Sequence, residues 1–153
     1  LNRENIRSAM IVTREGVPKA TLKSMDRAMV DTAQNTGMIL TIALNYGGQA
    51  EILDAVKALA MEVKQGVFSV DEITQDSFEQ RLTTAILPEA YRNPDFVIRT
   101  SGENRLSNFL PWQTAYSELY FTETLWPDFD EAALDLAFDV FSQRDRRYGG
   151  IKK

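Results

Sequence analysis

The chain has 153 residues, of which 17 are Lys or Arg and 22 are Asp or Glu, so its formal net charge is −5. This acidic balance argues against a general nucleic-acid binder and requires any phosphate site to be a local basic pocket. The sequence contains no cysteine and no histidine, which excludes disulfides, thiol nucleophiles and imidazole bases. Chemistry in this chain therefore depends on carboxylates, arginines, hydroxyls and bound metal.

The first half of the chain alternates between predicted strands and predicted helices. Residues 6–12 are a candidate strand, and the helical pattern that follows Pro18 stops near Gly37. The continuous apolar run at residues 38–44 is typical of a strand buried on both faces of a parallel sheet. A second helix with apolar residues at helical spacing follows and ends at Gly66.

The second half continues this alternation. Its predicted elements are, in order, a helix carrying Phe78, Leu82 and Ile86, a strand over residues 96–98, a short helix opened by Pro111, a strand over residues 119–121, and a helix capped by Asp128 and Glu131. Such alternation predicts an α/β fold, a parallel sheet flanked by helices, in a single domain over residues 1–153. Ligands of these folds bind beyond the carboxyl ends of the strands, where Asn45 and Arg99 both fall.

The stretch from Asp95 to Glu118 carries the main functional signal. An apolar strand ends at Arg99 and runs into a polar, glycine-containing loop that bears Arg105 and Ser107. Guanidinium and hydroxyl donors beyond a strand's carboxyl end suit an anion, and a diphosphate in particular. Glu118 adds a carboxylate, the ligand preferred by the magnesium that usually accompanies a diphosphate.

These features also have plainer structural interpretations. Arg99 and Arg105 can pair with Asp95 and Glu103 on a solvated loop, although the aromatic residues that follow favour a loop anchored against a core. The aromatic residues predicted to lie in the core are Trp112, Tyr116, Trp126 and Phe129. The segment Asn45-Tyr46-Gly47-Gly48 suits a phosphate held at a helix N terminus and equally suits a tight turn, so both interpretations stay open.

The stretch closely resembles the C-terminal signature of the cis-prenyltransferases, the undecaprenyl diphosphate synthase family. The residues in register with that signature are Arg99, Thr100, Ser101, Gly102, Glu103, Arg105, Ser107, Asn108, Phe109, Trp112, Gln113, Tyr116, Glu118, Phe121, Trp126, Pro127 and Phe129. Asn45-Tyr46-Gly47-Gly48 matches the N-Y-G-G segment of the family, and Arg147-Tyr148-Gly149 matches its terminal R-x-G. Three motifs in the right order and spacing make the resemblance specific.

The resemblance implies cis-prenyl chain elongation, in which isopentenyl diphosphate condenses with an allylic diphosphate such as farnesyl diphosphate to give a polyprenyl diphosphate. It assigns substrate binding to Arg99, Arg105, Ser107, Asn45, Arg147 and Gly149, and Mg²⁺ binding to Glu118. It further implies a homodimer, in which Arg147 reaches the partner's diphosphate. A cytoplasmic location follows from the same resemblance, with peripheral membrane contact through the lipid product.

The sequence also departs from the family pattern. It contains no D-G-N-x-R-W motif and no F-S-x-E-N-W motif, which in the family hold the catalytic Asp and the allylic diphosphate. Asn104 stands where relatives often have His, and it cannot exchange a proton. We therefore expect a C-terminal portion of such an enzyme, without the N-terminal strands, without an identified catalytic residue and inactive alone. The alternatives are a non-catalytic partner subunit and a simple phosphate-binding module.

Overall fold

The computed structural model describes residues 1–144 and divides the chain into two compact units, Leu1–Glu89 and a second that begins at Ala90. The predicted substrate residues Arg147 and Gly149 lie outside the described residues. Each unit contains a two-stranded parallel sheet with helices beside it, which confirms the predicted α/β class. No helix within residues 1–144 is long and apolar enough to cross a membrane.

The first unit begins with a strand–helix–strand motif. Strand β1 (Arg7–Val12) is followed by helix α1 (Lys19–Asp31) and strand β2 (Ile39–Leu44). The two strands pair in parallel, from Arg7 opposite Ile39 to Val12 opposite Leu44, because the helix returns the chain to its starting edge. Thr32 joins the end of α1 to β1, since its Oγ accepts a hydrogen bond from the Ser8 N–H at 2.9 Å.

The rest of the first unit consists of helix α2 (Gly48–Lys64), the short helix α3 (Gln75–Glu79) and a 3₁₀ turn at Thr83–Ile86. The buried apolar residues of the unit are Met10, Ile11, Ala55, Leu59 and Leu82. Arg81 connects α2 with α3, because its guanidinium pairs with Glu62 and donates to the Ser77 carbonyl. The same guanidinium lies 5.2 Å from the ring centroid of Phe68, which adds a cation–π contact.

The second unit contains strand β3 (Phe96–Arg99), strand β4 (Glu118–Phe121) and helix α4 (Glu131–Ser142). The strands pair in parallel, from Phe96 opposite Glu118 to Arg99 opposite Phe121. The ring of Phe96 lies 4.7 Å from that of Phe141, so α4 packs on the sheet through aromatic contacts. Leu110 and Ala137 are the buried apolar residues of this unit among those described.

Three predicted elements differ from the structure. The predicted helix through Phe78 and Ile86 is wrong, because α3 ends at Glu79 and a separate 3₁₀ turn follows. The predicted helix after Pro111 is also wrong, since the described chain between β3 and β4 forms only turns. The cap of α4 is Asp130 and not Asp128, because the Asp130 carboxylate accepts a hydrogen bond from the Ala133 N–H at 2.9 Å.

Two burial predictions are wrong as well. Leu40 and Ile42 of β2 are exposed by 38% and 43%, so that face of the strand is not buried within the described residues. Among the described residues, β1 is the strand that pairs with β2. Trp126 and Tyr116 are exposed by 73% and 70%, although they were predicted to lie in the core. Trp126 stacks instead on Phe129, with ring centroids 6.3 Å apart.

Candidate functional site

Arg99 is the last residue of β3, and its guanidinium reaches into the loop that follows. Its Nη2 donates to Ser107 Oγ at 3.4 Å, so the structure brings these two predicted residues together. Its Nε is buried and has no hydrogen-bond partner within residues 1–144. Leaving a buried N–H without an acceptor costs about 1–3 kcal/mol of folding free energy. An anionic ligand that accepts a hydrogen bond from this group would therefore be stabilised here.

A cavity of about 250 Å³ lies beside this guanidinium. Its lining residues are Arg99, Thr100 and Arg105, together with the apolar Val97, Ile98, Leu106, Phe109 and Trp126. Cationic groups in a mostly apolar cavity suit a small ligand with an anionic head and a short apolar body. The described geometry therefore places Arg99 and Arg105 at one cavity, with Ser107 hydrogen-bonded to Arg99, while their role in substrate binding stays a prediction.

Arg105 forms an ion pair with Glu103 in this structure, as the plainer interpretation of the loop anticipated. The two side chains are exposed by 68% and 36%, and a solvent-exposed pair contributes only about 0–1 kcal/mol. A charge-assisted hydrogen bond to a ligand phosphate contributes about 1.5–3 kcal/mol. An anion in the cavity therefore competes favourably with Glu103 for this guanidinium.

The backbone of the loop is unusual at several consecutive turns. The residues with positive φ are Ser101 at 70°, Gly102 at 68°, Ser107 at 49°, Asn108 at 64° and Leu110 at 48°. Residues other than glycine rarely adopt this region, and such conformations persist only where the surrounding structure determines them. The loop is thus held in one shape by its contacts, which is the condition for presenting two guanidiniums in fixed places.

Asn45 lies at the carboxyl end of β2, in the first unit, with φ at 48°. Its side-chain amide donates to the carbonyls of Thr13 and Glu15, both at 2.9 Å. These bonds fix the turn before α2 to the loop after β1. Fixing this turn is enough to explain an asparagine at position 45, and its role in substrate binding stays a prediction. β2, which ends one residue before Asn45, and β3, which ends at Arg99, belong to separate two-stranded sheets among the described residues.

Glu118 is the first residue of β4, whereas Arg99 is the last residue of β3. The register places Glu118 opposite Phe96, which is about 10 Å from Arg99 at a rise of about 3.3 Å per residue. The Glu118 carboxylate accepts a hydrogen bond from Arg144 Nη1 at 2.8 Å. No group of three or more acidic, His or Cys ligands occurs within residues 1–144.

The described residues consequently do not fit a magnesium site by themselves. One carboxylate, already paired with a guanidinium, leaves most of the octahedral shell of Mg²⁺ to other ligands. The assignment of Glu118 to Mg²⁺ stays a prediction from the family resemblance.

The structure also reveals carboxylates that the sequence pattern did not single out. Glu123 lies over the loop, since its Oε2 is 2.5 Å from the position a Cβ on Gly102 would take. Glu51 is a buried carboxylate of α2, exposed by only 7%, and accepts hydrogen bonds from the Thr83 N–H and hydroxyl and from the Tyr46 hydroxyl. An acidic residue at a helical position gives no sign of burial in a single sequence, because most such residues are exposed.

The fold and the cavity place this protein among the α/β proteins in which a loop at the carboxyl end of a strand is suited to a small phosphorylated ligand. The family model described as putative undecaprenyl diphosphate synthase matches residues 1–149, and the chain belongs to this family. The predicted family resemblance is confirmed.

Two curated relatives illustrate the similarity. The isoprenyl transferase of Streptococcus mutans serotype c is 54% identical over 151 residues, which cover 99% of this chain and 61% of the relative. The isoprenyl transferase of Lactococcus lactis subsp. lactis is 54% identical over 152 residues, with the same shares of both chains. The chain thus spans about 61% of the length of these relatives. These shares do not identify the matched portion, so correspondence to the C-terminal portion stays a prediction.

Two solved structures share the fold. The crystal structure of lavandulyl diphosphate synthase from Lavandula x intermedia in complex with dimethylallyl diphosphate has a TM-score of 0.90 and 36% sequence identity, and covers 94% of this chain and 60% of that chain. The crystal structure of a probable undecaprenyl diphosphate synthase from Campylobacter jejuni has a TM-score of 0.78 and 25% identity, and covers 97% of this chain and 65% of that chain.

Proposed function

We propose that this chain supplies the isopentenyl diphosphate site of an enzyme that carries out cis-prenyl chain elongation. In that reaction the double bond of isopentenyl diphosphate attacks C1 of an allylic diphosphate, diphosphate leaves, and a proton is lost as a new Z double bond forms. Repetition builds a polyprenyl diphosphate. Family membership supports the reaction class, and the 36% identical synthase with dimethylallyl diphosphate bound supports an allylic diphosphate as the second substrate.

The observation that carries this proposal is the cavity of about 250 Å³ beside Arg99 and Arg105. Its two guanidiniums suit the negative charge of a diphosphate, and its apolar lining suits a five-carbon isopentenyl group. The Ser107 hydroxyl lies next to Arg99 and is proposed to donate to a phosphate oxygen.

These residues are proposed to act by placing the reacting double bond and holding the charge of the diphosphate. Arg99 and Arg105 fix the anionic end of the substrate, so that the isopentenyl end takes one direction. Phe109 and Trp126 contribute apolar surface to the same cavity, against which the isopentenyl group is proposed to pack. No described residue is assigned as the acid or the base, because the sequence lacks the family's catalytic Asp motif.

Mg²⁺ is proposed as a companion of the diphosphate substrates and not as an ion held by this chain alone. Magnesium in such sites is bound through one or two carboxylates together with substrate phosphates. Glu118 is the carboxylate that the family pattern offers for this role. In this structure its carboxylate forms an ion pair with Arg144.

A homodimer is also proposed, with Arg147 and Gly149 completing the site of the partner subunit. It rests on the R-x-G ending alone, since both residues lie outside the described part of the chain. A cytoplasmic location and contact with a membrane through the polyprenyl product belong to the same proposal.

Isothermal titration calorimetry of the chain with isopentenyl diphosphate tests the proposed site. Arg105→Ala should weaken binding by about 1.5–3 kcal/mol, because one charge-assisted contact is lost. The matched control is Arg27→Ala, which removes the same charge from an α1 side chain that is 81% exposed. Unchanged affinity in Arg105→Ala, or an equal loss in both variants, would contradict the assignment.

We further propose that the chain alone does not catalyse prenyl transfer, because its sequence holds no recognisable allylic diphosphate motif. The assay combines the purified chain with magnesium, farnesyl diphosphate and labelled isopentenyl diphosphate. Label in a longer prenyl product would overturn this expectation and would place the missing roles on residues interpreted as structural.

A further inference from the structure

The arginine loop is held by a short turn that follows β4. Thr122 continues the parallel ladder one residue past the strand, because its N–H donates to the Arg99 carbonyl at 3.0 Å. Its carbonyl accepts a hydrogen bond from the Gly102 N–H at 2.9 Å. One residue therefore contacts the backbone on both sides of Thr100 and Ser101, where the chain leaves β3 and enters the loop.

The side chain of Thr122 shapes the turn from within. Its Oγ accepts a hydrogen bond from the Thr124 N–H at 3.2 Å and lies 3.1 Å from the Thr124 hydroxyl. This bond closes a turn of the kind that threonine hydroxyls stabilise. The closed turn brings the Thr124 carbonyl to 2.9 Å from the Ser101 N–H, which is the third backbone bond to the loop.

These bonds also determine where the loop's donors point. The N–H groups of Ser101 and Gly102 are used by the carbonyls of Thr124 and Thr122, although both residues have positive φ. These two N–H groups therefore bond to the turn and not to a ligand. Arg99 and Arg105 are the cationic residues that line the cavity.

We propose that Thr122 is a positioning residue for the arginine loop, acting through its hydroxyl on the Thr122–Thr124 turn and through that turn on Arg99 and Arg105. The inference rests on the proposed diphosphate site and adds to it a residue that touches no ligand. Without the hydroxyl, the turn loses its internal bond and the loop is held by fewer fixed acceptors. The ligand then has to order the loop when it binds, and the entropy cost of that ordering weakens its affinity.

The test compares Thr122→Val, which keeps the shape and removes the hydroxyl, with Thr122→Ser, which keeps the hydroxyl. Two quantities are measured, the amide hydrogen-exchange rates of Ser101 and Gly102 and the dissociation constant for isopentenyl diphosphate. Thr122→Val should raise both by about twofold to tenfold, the factor that one neutral hydrogen bond provides. Thr122→Ser should return both values to within about twofold of the unaltered chain.

Thr32→Val is the matched control, because the Thr32 hydroxyl also accepts a backbone N–H, that of Ser8 at 2.9 Å, but lies in the first unit. It should destabilise the chain at least as much, because Thr32 is buried and its hydroxyl also donates to the Ala28 carbonyl at 2.7 Å, and it should leave both site measurements unchanged. An equal loss of affinity in Thr32→Val would show that general stability sets binding and would overturn the inference.

The remaining outcomes separate this inference from the proposed function. If Arg105→Ala weakens binding while Thr122→Val does not, the diphosphate site stands and Thr122 has no positioning role. If the unaltered chain and Arg105→Ala bind equally, the proposed function fails, and the inference that this turn serves a diphosphate site fails with it. Unchanged exchange at Ser101 and Gly102 in Thr122→Val would overturn the inference whatever the binding result.

Discussion

Gly102→Ala should destabilise the second unit through two separable effects. The φ of Gly102 is 68°, and an L-residue in this left-handed region costs about 1–2 kcal/mol. A more restricted unfolded chain returns about 0.4–1 kcal/mol of that cost. The added Cβ would also lie 2.5 Å from Glu123 Oε2, so the carboxylate has to move. Because that group ends a flexible side chain, its displacement costs about 0.5–1.5 kcal/mol.

Gly66→Ala isolates the backbone effect, because Gly66 has a similar φ of 70° and no atom within 4 Å of its Cβ position. Urea unfolding should show a larger loss of free energy of unfolding for Gly102→Ala than for Gly66→Ala. Glu123→Ala introduced together with Gly102→Ala should remove the difference, since the obstructing carboxylate is then absent. The slope of the unfolding free energy with urea should stay constant across the series.

Equal losses in Gly66→Ala and Gly102→Ala would refute the contact with Glu123. A Gly102→Ala variant with the same free energy of unfolding as the unaltered chain would refute the positive φ of Gly102, and with it the described conformation of the loop.

Two further predictions concern carboxylates of the first unit. Glu51→Gln should lower the free energy of unfolding by about 1–3 kcal/mol, because its side-chain amide would place an N–H donor against the donors that now bond to the buried carboxylate. The control Asp54→Asn, on the exposed face of α2, should change the free energy of unfolding by less than about 0.5 kcal/mol. Equal effects of the two variants in chemical denaturation would contradict the buried hydrogen bonds of Glu51. The hydrogen bond from Arg14 holds the pKa of the Asp26 carboxyl below its ordinary value of 3.8. This pair's contribution is therefore present above that ordinary value and lost as pH falls through the lowered pKa, so Asp26→Asn should reduce the acid-induced loss of stability in a pH series, and an unchanged series would contradict it.

The regular elements were predictable because their periodicity is local. The run at residues 38–44 and the helix ended by Gly66 appear in the structure as β2 and α2, within one or two residues at the ends. The failures occurred where tertiary contacts decide the outcome. Phe78 and Ile86 share a helical spacing, yet the chain between them ends α3 at Glu79 and turns back to place Arg81 on Glu62.

The sequence shows the residue types of the candidate site but not how they are arranged in space. The residue types and the spacing of Arg99, Arg105 and Ser107 are visible in the sequence. In the structure the two arginines line one cavity, and Ser107 accepts a hydrogen bond from Arg99. The contribution of Trp126 to that cavity and the turn at Thr122 depend on which loops pack together. Such packing leaves no periodic signal in a single sequence. The separation of Glu118 from Arg99 follows from strand register, which a sequence without an alignment does not fix.

The most direct test of the proposed site is a crystal structure of the chain grown with isopentenyl diphosphate. The diphosphate should lie in the cavity beside β3, with its oxygens about 2.7–3.2 Å from the guanidinium nitrogens of Arg99 and Arg105. The Ser107 hydroxyl should lie within the same distance, the Glu103 carboxylate should have left Arg105, and the isopentenyl group should contact Phe109 and Trp126. A bound diphosphate elsewhere on the chain, with Arg105 still paired to Glu103 and this cavity empty, would contradict the account.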